Sequence, residues 1–89
     1  MNKKELEAAL PSATIYQIAA TIKSNWFRPY FGAKPYIEAL KSIDKITDAY
    51  YEDSGPEIVA RFLGNASTWR GETARAVKKE LNRRLKENK

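Results

Sequence analysis

Apolar residues recur at helical spacing along most of this 89-residue chain, and no stretch alternates with period two for long enough to argue a strand. Residues 2–9 read as a short, charged helix halted before Pro11, with residues 1–11 expected to fray. Ser12 offers a cap for a second helix, on which Ile15, Ile18, Ala19, Ile22 and Trp26 share one face at i, i+3, i+4, i+7 and i+11. Pro29 and Gly32 end that regularity. Pro35 suits the first turn of a third helix, predicted to run to about Tyr51 with Ile37, Leu40, Ile43 and Thr47 facing inward and Tyr36 beside them. The next break is Asp53-Ser54-Gly55-Pro56, where Ser54 and Glu57 have the spacing of a capping box. Ile58, Val59, Phe62 and Leu63 then bury a short fourth helix that Gly64 and Asn65 close. Asn65, Ser67 and Thr68 offer caps for a fifth, from about Trp69 to Leu85, whose apolar stripe is Ala74, Val77, Leu81 and Leu85.

The pattern predicts an all-α fold: a single domain over residues 1–89, built as a compact bundle of four to five helices with short loops. A domain this small buries only about 60–65% of its unfolded surface. Nearly every large apolar side chain is therefore needed for the core, and few are left to line a cofactor pocket.

Composition narrows the chemistry. The chain has neither cysteine nor histidine. This excludes disulfides, a thiolate nucleophile, a zinc site of Cys or His ligands, and the side chain best suited to proton transfer near neutral pH. The four glycines are scattered at 32, 55, 64 and 71, so no glycine-rich loop cradles a phosphate. No carboxylate pair is placed in a cleft by the pattern. Asp44, Asp48 and Glu52 recur at i, i+4 and i+8 on the predicted third helix, where Lys41 and Lys45 can pair with them. One exposed stripe does not converge on a metal. The expectation is a protein that is not an enzyme and takes no cofactor or metal. No apolar run exceeds three residues, against about twenty for a spanning helix, and the N-terminus lacks the apolar core of a signal peptide. A cytoplasmic protein without a membrane partner is expected.

Charge is placed unevenly. Residues 1–69 hold eight basic and eight acidic side chains, so the whole net charge of +5 sits in residues 70–89. On the fifth helix Arg75, Lys79, Arg83 and Lys86 fall within roughly 80° of one another, opposite the apolar stripe. Like charges at i, i+4 repel, and an anionic partner would relieve them. A solvated outer face, its cations favoured by the helix dipole, explains the same residues.

Two further segments carry binding chemistry. Half of the ten aromatics lie in residues 26–36, interleaved with Arg28 and Lys34. If exposed, Tyr30 and Phe31 with Arg28 could stack on bases or anchor a protein interface. Alternatively this loop folds back over the core and leaves one or two rings outside. Trp69 and Arg70, followed by Gly71, are of hot-spot type, although Trp69 can equally pack against the start of its own helix.

Two stretches of the chain resemble a known group. They are Tyr30-Phe31-Gly32-Ala33-x-Pro35-Tyr36 and Phe62-Leu63-x-Asn65-Ala66-x-Thr68-Trp69-Arg70-Gly71-x-x-Ala74-Arg75-x-x-Lys78-x-Glu80-Leu81. Over about residues 25–86 the chain resembles small helical proteins encoded by phages and prophages of Gram-positive bacteria. The resemblance implies a setting rather than an activity. Small phage proteins without catalytic residues commonly bind a host machine and modulate or block it, anti-CRISPR proteins among them.

The expected function is a non-enzymatic binding protein that docks on a bacterial protein or nucleoprotein. Arg75, Lys79, Arg83 and Lys86 would attract the partner, and Trp69, Arg70, Arg28, Tyr30 and Phe31 would anchor it. A second reading is direct DNA or RNA contact through the basic helix, although that helix lacks a base-reading cluster near its N-terminus. A third is a structural homodimer or larger homo-oligomer with Tyr30 and Phe31 in a two-fold patch.

Overall fold

A computed structural model of the chain describes residues 2–88, apart from the side chain of Lys3. Among them are five α-helices: α1 (Lys3–Ala9), α2 (Ile15–Asn25), α3 (Lys34–Leu40), α4 (Gly55–Gly64) and α5 (Glu72–Glu87). Leu10–Ser12 and Phe31–Ala33 form single 3₁₀ turns. The fold is mostly helical but not purely so, because β1 (Ala49–Tyr50) and β2 (Asp53–Ser54) pair antiparallel, with Ala49 opposite Ser54 and Tyr50 opposite Asp53.

The helix starts follow from local hydrogen bonding. Asn2 Oδ1 accepts the amide of Glu5, which caps α1, and Leu6 and Leu10 seat this end of the chain in the core. The cap of α2 is Thr14 rather than Ser12. Thr14 Oγ1 accepts the Gln17 amide at 3.1 Å while Gln17 Oε1 accepts the Thr14 amide at 2.9 Å, a reciprocal capping box. Only half of the expected box forms at α4: Ser54 Oγ accepts the Glu57 amide, but the Glu57 carboxylate turns to Arg61, 3.7 Å away. The stripe Ile15, Ile18, Ala19 and Ile22 is fully buried as its spacing requires.

The third helix is where the structure departs most from the periodicity. It ends at Leu40, not near Tyr51. Ile43 and Ile46 still reach the core, but from turns. Asp48 supplies the reason: its carboxylate accepts the amides of both Asp44 and Lys45 at 2.9 Å, a side-chain alternative to helical hydrogen bonding. Those two bonds hold its carboxyl below the ordinary aspartate range. The loop is then fastened on both sides, by the Ile15 amide to the Asp44 carbonyl and the Gly55 amide to the Asp48 carbonyl, each at 2.8 Å. Gly55 permits this approach, since a Cβ there would lie 2.1 Å from the Ile46 carbonyl oxygen. The hairpin beyond it turns through Tyr51, whose φ of 56° is unusual for a bulky residue.

The core runs through all five helices, and one end of it is aromatic. Trp26 and Trp69 stack with centroids 5.7 Å apart and planes 11° apart, and Phe62 meets both rings edge-on at 6.4 and 6.3 Å. Helix α5 begins at Glu72 rather than Trp69, after Gly71 turns the chain at φ 114°. Ala74, Val77 and Leu81 are buried on its inner face and Leu85 is half-buried.

Candidate functional site

The basic face of α5 divides into free and engaged cations. Arg75, Lys79 and Lys86 are exposed and make no ion pair among the described residues. Arg83 is different. Its Nη2 donates to Glu80 Oε2 at 2.6 Å, its Nε to Glu80 Oε1 at 3.0 Å and its Nη1 to Glu87 Oε2 at 2.7 Å. These bonds raise its pKa further and neutralise its charge within the helix. The expected row of four attracting cations is therefore three.

Glu80 organises that end of the helix. It is 6% exposed and also accepts from Arg84 Nε at 2.6 Å, while Arg84 Nη2 donates to the carbonyls of Leu10 and Ala13, both at 2.7 Å. Burial alone would push the Glu80 carboxyl up, but the hydrogen bonds from Arg83 and Arg84 hold it below the ordinary range. The arrangement ties α5 to the turn after α1. Beside it runs an open groove of about 690 Å³ with Leu10, Pro11 and Ala76 among its lining and Lys79 and Lys86 on its rim.

Of the proposed anchors, Trp69 belongs to the core. It is 2% exposed, stacked on Trp26, and its indole N–H donates to Asn25 Oδ1 at 2.9 Å. A ring needed to close a small core is not free to fill a partner's pocket. Arg70, next to it, is exposed. The Trp69 carbonyl accepts from Lys78 Nζ at 2.6 Å. Burial, then the nearby charge of Arg70, pulls the Lys78 ammonium below its ordinary value.

The aromatic loop divides too. Trp26 turns inward, whereas Phe27, Phe31 and Tyr30 are 89%, 75% and 48% exposed, and Arg28 is exposed between them. The loop is nonetheless anchored. The Ala33 amide donates to the Tyr30 carbonyl at 2.8 Å, Ala33 is fully buried, and Gly32 lies so close to Tyr30 and Asn65 that a Cβ would meet both within 2.7 Å. At 150–250 Å² per aromatic side chain, the three rings hold on the order of 400 Å² in water.

Phe27 is the most exposed of the three and was not among the expected anchors. The signal for it was present, since position 27 falls off the Ile15–Trp26 stripe by one helical step. Tyr51, 88% exposed at the hairpin tip, had no such signal because the hairpin itself was not legible. Asp44, Asp48 and Glu52 share no helical face, and Lys41 pairs with Glu38 at 3.1 Å instead of with Asp44. Among the described residues no acidic cluster could hold a metal ion, and no helix is long and apolar enough to cross a membrane. No family model, curated protein or solved structure matches the chain.

Proposed function

We propose that this chain is a non-enzymatic binding protein that docks on a bacterial protein or nucleoprotein and modulates it. The observation that carries this reading is the set of three large rings, Phe27, Tyr30 and Phe31, held in water on an anchored loop. A small domain needs its large apolar side chains for its own core, so rings left outside on a fixed backbone are available to a partner. Arg28 among them, Arg70, and the free cations Arg75, Lys79 and Lys86 on α5 supply attraction and orientation. In the setting that the phage resemblance implies, the partner is a host machine, with a defence effector the first to test.

The experiment is a tagged pull-down from bacterial lysate, with and without nuclease, comparing the natural chain with Phe27→Ala/Phe31→Ala. Capture of a partner by the natural chain and its loss in the folded double variant is the expected result. Equal capture by both chains would refute the assignment of the loop. The unpaired face of α5 favours a second reading, direct contact with duplex nucleic acid. Three phosphate contacts there would lower affinity about 40-fold between 50 and 200 mM salt, and a flat response would refute that reading.

A further inference from the structure

The end of the molecule that carries the exposed rings is poor in carboxylates, with Glu38 and Glu72 at its margins. Residues 8–37 contain none, nor do residues 58–71, and together they hold Lys23, Arg28, Lys34, Arg61 and Arg70. The fold brings the two stretches together. Trp26 stacks on Trp69, the Trp69 indole reaches Asn25, and Gly32 lies against Asn65. Phe27 and Arg70 are the chain neighbours of the two stacked tryptophans and so emerge at the same end. Arg61 is paired with Glu57 and Lys23 with Glu38, each at 3.7 Å, whereas Arg28, Lys34 and Arg70 make no ion pair among the described residues.

Tyr30 and Phe31 lie 5.0 Å apart, tilted by 53° rather than stacked on each other, and Phe27 is almost fully in water. Beside Phe27 is a shallow groove of about 300 Å³ with Phe27, Pro29, Lys34 and Lys23 in its walls. Glu38 also lines it, with its carboxylate held by Lys23 and Lys41.

We infer that this end binds single-stranded nucleic acid, with Phe27, Tyr30 and Phe31 as stacking platforms for bases and Arg28, Lys34 and Arg70 as phosphate contacts. The inference rests on the binding reading above and makes the partner's nucleic acid the ligand of the loop. Every base has a π-face, so stacking of this kind tolerates sequence, whereas bases in a duplex are already stacked and closed to it. An acidic protein would also meet the cations, but it offers the three exposed rings no comparable run of flat groups.

The test uses the purified full chain and fluorescein-labelled dT and rU strands of about twelve nucleotides, read by fluorescence anisotropy. Saturable binding of single strands is expected, with a duplex of the same length bound at least about tenfold more weakly. Phe27→Ala/Phe31→Ala, at two exposed positions and checked by circular dichroism, should weaken binding about 100-fold, tenfold for each ring. Three phosphate contacts on a single strand should lower affinity about 20-fold between 50 and 200 mM salt, and Arg28→Ala/Lys34→Ala/Arg70→Ala should flatten that response. No saturation by about 100 μM overturns the inference. So does wild-type affinity in the ring variant, or loss of binding only in Lys79→Ala/Lys86→Ala, which would place the strand on α5. If strands fail to bind while a nuclease-resistant partner is still captured through Phe27 and Phe31, the inference falls and the protein-docking reading stands.

Discussion

Replacing Arg84 with alanine should destabilise the fold by about 3 kcal/mol. The side chain is 12% exposed and donates three hydrogen bonds, one to Glu80 and one each to the carbonyls of Leu10 and Ala13. The Ala13 carbonyl loses its Arg84 donor, whereas the Leu10 carbonyl keeps the Ala13 amide at 3.1 Å, so the two bonds to a charged group together contribute about 1.5–3 kcal/mol. Glu80 loses one partner as well, but both its oxygens keep bonds from Arg83, which limits that contribution. Against an expected total stability of about 4–13 kcal/mol for 89 residues, this is a large fraction. The assay is urea denaturation followed by tryptophan fluorescence, because Trp26 and Trp69 are both buried and report loss of the core directly. In thermal unfolding the same loss is a Tm lower by about 12–24 °C. Arg83→Ala is the control: its guanidinium is far more exposed, so its loss should be much the smaller. A loss below about 1 kcal/mol in Arg84→Ala, or equal losses in the two variants, would refute the account of Arg84 as the tie between α5 and the Leu10 turn.

Other consequences follow from the same structure. Gly55→Ala should cost about 3 kcal/mol in denaturant titration, because its Cβ would press on the fixed Ile46 and Asp48 carbonyls. Gly64→Ala meets nothing within 4 Å and should instead stabilise α4 by about 0.5–1 kcal/mol. Trp69→Ala should lose about 3–5 kcal/mol of stability, so any loss of partner capture should track unfolding rather than a missing contact. The Glu80 carboxyl is held low in the folded chain, so it contributes stability above the ordinary glutamate value of about 4.3 that is lost as pH falls through its lower folded value. Glu80→Gln should therefore show a shallower acid loss in Tm between pH 5 and 2, though not a flat one, since Glu38 and Asp48 are held low as well.

Contacts between near neighbours along the chain account for one part of this structure. The apolar stripes of α2 and α5, the place of Pro35 in the first turn of α3 and the Ser54 cap are set by helical spacing and by local backbone and side-chain preferences, and they lie where the pattern placed them. The exclusion of cysteine and histidine chemistry is of the same kind, since it needs only the composition. Long-range contacts decided the rest. Ile37, Leu40 and Ile43 fit a continuing helix, but the Asp48 cap and the seat that Gly55 offers to the Ile46 carbonyl turned residues 41–54 into loop and hairpin. Residues 26–36 held five rings with no local rule to sort them. The stack of Trp26 on Trp69, 43 residues on, took one inside and left Phe27, Tyr30 and Phe31 in water. Likewise four cations at helical spacing looked equivalent, and only the burial of Glu80 against the Leu10 turn made Arg83 a structural partner, while Arg75, Lys79 and Lys86 make no ion pair among the described residues. Spacing fixes which residues share a face, but whether that face meets core, carboxylate or solvent depends on what the chain returns to lay against it.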